Sequence, residues 1–261
     1  SSETDIFVAP GGTLAIDGGL LTSGCSSLWN GIDVWGDPRS PQMLDYQGLV
    51  RIVNGGTVEH AVNAIETGNF PEPRRYPSGG MVSCTDAIFK DNITDVALYP
   101  FINRHPSTHE ILPNFSRFKR TLFKSTEELY SAYGQAPYSH IILDNVGYVN
   151  ILGCEFHNEA TAHSLARGMG ILSYGSGFFA SPACLSDQMP CPEYVPCHFE
   201  NLDFGIRALN SNTLFTITVN GSRFIDNRKG ILMSLVNDAT INKNQFYLNA
   251  DDDYFEQNDV L

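Results

Sequence analysis

A spacing recurs along this chain: an apolar residue, a second five positions later, and a third about seven positions after that. Val53/Val58/Ile65, Cys84/Phe89/Val96, Tyr194/Phe199/Ile206 and Val219/Phe224/Ile231 follow it directly. Ile16/Leu21/Ile32, Phe118/Phe123/Ile141 and Ile151/Phe156/Ile171 follow it once residues are inserted between the second and third anchors, and Ile241/Phe246 begins another copy. Self-similarity of this kind marks a solenoid, in which each repeat covers the hydrophobic face of its neighbour. The shortest gap between successive second anchors is 22 residues, from Phe224 to Phe246. Three short strands with their turns fit in that length, which is the size of one parallel β-helix coil; paired coils stack at about 4.8 Å. The spacing therefore predicts an all-β chain: a right-handed parallel β-helix of about eight coils with long loop insertions, a single domain over residues 1–261.

Residue types within the repeat agree with that reading. The second anchor is mostly Phe, so rings are expected to stack through the core. The residue before the third anchor is small or polar (Gly31, Ala64, Asp95, Gly170, Gly205, Gly230), as expected where another backbone approaches closely. Asn54, Asn220 and Asn242 precede the second anchor by four. Asn92, Asn158, Asn201 and Asn227 follow it by two or three. Asn tolerates left-handed turns, and its amide is expected to bond between coils. Insertions over residues 36–46, 68–80, 99–113, 127–138 and 173–196 are where binding loops would be sought.

Composition bounds the partners. The net charge of -13 repels phosphate backbones, so nucleic acid is not expected to bind. No apolar run is long enough for a membrane span. Residues 1–6 lack the features of a signal peptide, and strand-like residues follow at once. The chain is therefore expected to be a segment of something longer. Of six cysteines, Cys184, Cys191 and Cys197 crowd one segment. A loop disulfide there suits an oxidising compartment; free thiols, or a loose metal set with His198, are the alternatives. Cys84 sits at an anchor and reads as a small buried hydrophobe.

The stretches Leu28-Trp29-Asn30-Gly31-Ile32-Asp33-Val34-Trp35-Gly36 and Gln47-Gly48-Leu49-Val50-Arg51-Ile52-Val53-Asn54-Gly55-Gly56-Thr57-Val58, with Phe89-Lys90-Asp91-Asn92, Gly153-Cys154-Glu155-Phe156 and Phe224-Ile225-Asp226-Asn227-Arg228-Lys229-Gly230-Ile231, carry a resemblance. Together they resemble the secreted right-handed β-helix (pectate-lyase-like) proteins of Bacteroidota that use type IX secretion. The resemblance implies an extracellular or cell-surface location and says almost nothing of activity.

No catalytic signature is complete. A glycoside hydrolase needs two carboxylates about 5–9.5 Å apart. Asp203 with Asp226, or Asp91 with Asp95, are the candidates, each with a solvated or structural role as the plainer alternative. A lyase would need a calcium cluster. Asp251, Asp252 and Asp253 are acidic, but consecutive strand residues alternate in direction. Among seven histidines no metal motif appears, and His60 and His157 read as wall positions. Trp29, Trp35 and Tyr46 are candidates for an aromatic shelf for sugar rings, though packing of the tryptophans against a loop competes. Arg117, Lys119 and Arg120 alternate with Phe118 and read as an outer face, with anion contact as the sharper alternative. The chain is thus expected to be a non-enzymatic structural or adhesive module without a cofactor, with Ca²⁺ at Asp251, Asp252 and Asp253 as the alternative. Its expected partners are other copies or neighbouring domains at the solenoid ends, and glycans. The alternative is a carbohydrate-active enzyme, a lyase or hydrolase working in a groove along the strands.

Overall fold

The computed structural model describes residues 5–68, 78–161, 166–186, 190–210 and 214–247. The described chain forms three eight-stranded parallel sheets, a short antiparallel ribbon and one short helix. Sheet A runs from Asp5–Val8 to Lys229–Ser234, sheet B from Thr13–Asp17 to Ala239–Asn242, and sheet C from Leu20–Leu21 to Gln245–Tyr247. Successive strands enter A, B and C in rotation, a succession compatible with a β-helix solenoid. No helix among the described residues is long and apolar enough to cross a membrane.

Each anchor column is one sheet. The second anchors pair strand to strand as Leu21, Val58, Phe89, Phe123, Phe156, Phe199, Phe224 and Phe246 along sheet C. The third anchors pair as Ile32, Ile65, Val96, Ile141, Ile171, Ile206 and Ile231 along sheet A. Six phenylalanines stack face to face, with centroids 4.7–5.1 Å apart and planes within 10°. Strand pairing at this spacing brings identical rings into offset contact, each pair adding about 0.5–1.5 kcal/mol beyond burial. Gly205 makes room for them: a Cβ there would lie 2.6 Å from the Gly230 carbonyl and 2.8 Å from the Phe224 ring.

The first-anchor column on sheet B departs from expectation twice. Ile52, not Val53, pairs with Cys84, because the Asn54-Gly55-Gly56 turn holds one residue more than its neighbours. Ala180, not Tyr194, pairs with Ile151 and Val219. Tyr194 lies in the antiparallel ribbon Ala183–Cys184/Tyr194–Val195 and is exposed. Residues 173–196 are therefore not one insertion, since Phe178–Ser181 is a regular strand of sheet B. Asn92, Asn201 and Asn227 bond across to backbone of neighbouring repeats rather than to one another, whereas Asn54 donates to the Asp17 carboxylate. Asn92 accepts from Ala61 N and donates to Val58 O; Asn227 accepts from Leu202 N and donates to Phe199 O.

The insertion after Ser125 is helical. Glu127–Tyr133 begins at Thr126, whose hydroxyl accepts from Glu128 N, and ends at Gly134 in the left-handed region. The insertions do not share one corner. Residues 35–48, 68–80 and 99–116 join sheet A to B, with 69–77 outside the described residues; 126–138 joins C to A, and 182–197 joins B to C.

Candidate functional site

Two of the A-to-B loops rise beside sheet B and are bolted by buried amides. Gln47, fully buried, donates to the carbonyls of Asp37, Ser40 and Pro41 and accepts from Asp37 N. Asp37 in turn accepts from Arg39 N and the Ser40 hydroxyl, which hold its carboxyl below the usual range. Gln42 ties the first loop to the second: its backbone N–H donates to Asn103 Oδ1, its side chain donates to Asn114 Oδ1, and its Oε1 accepts from Phe115 N. Buried amides with every arm engaged fix a loop in one conformation, which lowers the ordering cost of binding.

Against these loops lie two cavities of about 700 and 710 Å³, the size range of ligand sites. Tyr46, Arg39, Arg104, His105 and His109 line the first; Phe115, Leu44, Arg117, Ser83 and Asn150 line the second. Met43 lines both, so they adjoin as one trough. Part of its floor is sheet B: Ser83, Arg117 and Asn150 succeed one another across the strands, and Arg117 Nε donates to Ser83 Oγ at 3.3 Å. Phe115, Leu44 and Tyr46 are each about half exposed. Among the described residues, Asp45 is the one carboxylate lining either cavity, against three arginines.

The expected aromatic shelf does not assemble. Trp29 is buried, and its indole N–H donates to Glu59 O at 2.8 Å, because its strand position points into the wall. Trp35 packs against Phe7, with ring centroids 5.2 Å apart. Of the three, Tyr46 alone lines either of these two cavities.

The proposed carboxylate pairs are structural. Asp91 is fully buried and accepts from the backbone and hydroxyl of Thr126, holding the start of the helix. Asp95 is buried beside His140, 2.6 Å from its Nδ1, and accepts from Asn92; burial pushes its carboxyl up despite these partners. Asp203 pairs with Arg228 and accepts from the backbone N–H groups of Arg167 and Gly168, while Asp226 is an exposed corner residue with positive φ. Asp251, Asp252 and Asp253 lie outside the described residues. Cys184 and Cys191 form a disulfide. Cys197 is instead a buried thiol of the core, close enough to donate to Ile151 O or Ser181 O, so no cysteine metal set forms with His198.

Three ionisable clusters escaped the sequence reading. On sheet A, Asp33 and Glu66 are direct cross-strand partners. A bulge between Gly31 and Ile32 sets that register, and Gly31 is required there because a Cβ would collide with Asn63 O. Burial, then the hydrogen bond with Asp33 and its charge, push the Glu66 carboxyl up to about 8; Asp33 is raised as well, chiefly by burial. On sheet C, His157, His198 and Glu200 bring donor atoms within 4.8 Å of one another. His60, Asp91 and Glu128 also converge, but Lys90 Nζ already stands 2.9 Å from Glu128 and 3.4 Å from Asp91. No protein-family model, curated protein or solved structure matches this chain.

Proposed function

We propose that the three sheets close into a right-handed parallel β-helix of eight coils, and that this solenoid is an extracellular structural or adhesive module whose trough binds an acidic glycan without cleaving it. Crossovers between parallel strands are right-handed in about 98% of cases, which supports the hand. The Cys184–Cys191 disulfide supports an oxidising location. The resemblance to secreted Bacteroidota β-helices agrees with both.

One observation carries the binding reading. In a chain of net charge -13, Arg39 and Arg104 with exposed Tyr46 line one of the two adjoining cavities and Arg117 with exposed Phe115 the other, and among the described residues Asp45 is the one carboxylate lining either. Guanidinium groups recognise carboxylate or sulfate on a sugar, and aromatic rings stack on its apolar face. Isothermal titration with uronic-acid and sulfated oligosaccharides tests this. Arg104→Ala and Arg117→Ala each weaken binding tenfold or more, and salt weakens it further. Binding that ignores both substitutions contradicts the reading.

The Asp33–Glu66 pair favours the enzymatic alternative. Against it, the two carboxyls are hydrogen-bonded to each other, closer than the roughly 5 Å a retaining glycosidase needs, and neither lines the trough. Copies or neighbouring domains are proposed to pair at the solenoid ends. Among the described residues the end strands Leu20–Leu21 and Ala239–Asn242 each have a partner on one side only, and Leu20 is 57% exposed. Sedimentation that shows a monomer at all concentrations would count against self-pairing.

A further inference from the structure

Sheet C carries two short sequences that mirror each other: Glu155-Phe156-His157 and His198-Phe199-Glu200. They occupy adjacent parallel strands in direct register, Glu155 opposite His198 and His157 opposite Glu200. Side chains alternate along a strand, so Phe156 and Phe199 enter the core, where their rings stack at 4.7 Å. The four polar residues are left standing outward as a two-by-two square. The phenylalanine ladder therefore fixes the spacing of the outer groups as well as the core.

The geometry points to a binding site for a divalent transition-metal ion, such as Zn²⁺, held by His157 Nδ1, His198 Nε2 and a carboxylate oxygen of Glu200. His157 Nδ1 lies 3.0 Å and His198 Nε2 3.6 Å from Glu200 Oε2. Metal–ligand bonds of 2.0–2.2 Å in a tetrahedron separate neighbouring ligand atoms by about 3.3–3.6 Å. The two separations bracket that range and all three donors lie within 4.8 Å of one another, so a small opening of the His157–Glu200 pair admits an ion, with a fourth position for water. The imidazole rings lie 5.0 Å apart, edge to face, rather than stacked shut. Two imidazoles with a carboxylate suit zinc-like ions better than Ca²⁺ or Mg²⁺, which take all-oxygen sets.

Two further features point the same way. His198 Nε2 is buried and has no hydrogen-bond partner, a state that a ligand commonly relieves. The other nitrogen of His157, Nε2, lies 3.2 Å from Glu155 Oε2. Glu155 would accept its N–H and so fix the tautomer that turns Nδ1 toward the ion, the carboxylate–histidine–metal arrangement. The cations on the flanking strands are engaged elsewhere: Lys124, opposite His157, pairs with Glu159, and Arg223, opposite His198, donates to Gln245. This separates the site from the His60 cluster, whose two carboxylates Lys90 already pairs with.

Cobalt titration of the whole chain tests the site, because tetrahedral Co²⁺ absorbs strongly in the visible. The expected result is one Co²⁺ per chain, displaced by Zn²⁺. His198→Gln and His157→Gln abolish the band, and Glu155→Gln weakens affinity about 10- to 100-fold, as loss of an orienting carboxylate does. His60→Gln leaves the titration unchanged. All four side chains point away from the core, so circular dichroism of the variants should match the parent and keep the comparison valid. Absence of saturable binding in the parent chain overturns the proposal. So does a band that survives both histidine substitutions.

Discussion

Replacing Glu66 by Gln tests whether a proton is held inside the wall of sheet A. Glu66 is only 8% exposed, Asn63 donates to its Oε2 at 3.3 Å, and Asp33 faces it across the strands. Burial first, then Asp33 and the more distant Asp5 charge, push its carboxyl from 4.5 up to about 8, so at neutral pH it is an acid donating to Asp33. Because the folded value is raised, the folded chain binds more protons than the unfolded one between those two values. The stabilising contribution is complete below pH 4.5 and is lost as pH rises through 8. At about 1.4 kcal/mol per pH unit, the loss approaches roughly 4–5 kcal/mol by pH 9 if Asp33 stays charged, and less if the pair shares its charge. A glutamine amide reproduces the protonated acid: its N–H donates to Asp33 and its oxygen still accepts from Asn63. Urea midpoints of Glu66→Gln and the parent chain, measured at pH 5, 7 and 9, supply the test. Subtracting the two curves cancels the self-repulsion common to both. The variant should equal the parent at pH 5 and exceed it at pH 9. Parallel curves, or a variant weaker at pH 9, would refute the buried-proton reasoning.

Phe156→Ala removes the ring between Phe123 and Phe199 and is expected to cost about 3–5 kcal/mol in urea denaturation. Gly205→Ala drives a Cβ to 2.6 Å from the Gly230 carbonyl, and should cost about 1–3 kcal/mol despite adding a single methyl; an unchanged midpoint would contradict the tight inter-strand fit. Hydrogen bonds from Ser27 and then Ser23 lower the exposed Cys25 thiol to about 7. Iodoacetamide at pH 7.4 should therefore label Cys25 quickly, and buried Cys84, Cys154 and Cys197 only after unfolding. Mass spectrometry of the labelled peptides reads both.

The columns on sheets A and C were legible because burial on one face forces a fixed register, and a bulky Phe or Ile marks it. Sheet B was harder. Ala180 is too small to announce itself, and the sixteen residues 182–197 separate it from the strand that follows, so the exposed Tyr194 supplied a false match. Trp29 looked available for sugar because spacing does not reveal which face a strand residue takes beside a bulge. Asp33 and Glu66 stand 33 positions apart, and the same bulge decides that they meet. The square on sheet C had a usable signal. Once Phe156 and Phe199 are aligned as second anchors, the residues flanking them must face one another, and Glu/His over His/Glu appears without further information. The trough had no such signal, because its walls depend on Gln42 and Gln47 bonding across 6 to 73 residues of chain.

A glycan-array binding experiment on the parent chain and an Arg104→Ala/Arg117→Ala double variant, with release of reducing ends followed on every glycan retained, bears most directly on the function proposed here. Saturable retention of acidic glycans by the parent chain, loss of that retention in the double variant, and no new reducing ends or unsaturated products are expected. Cleavage of a bound glycan would contradict the non-catalytic reading and turn attention to Asp33 and Glu66. Failure of the parent chain to retain any acidic glycan would contradict the trough as a glycan site.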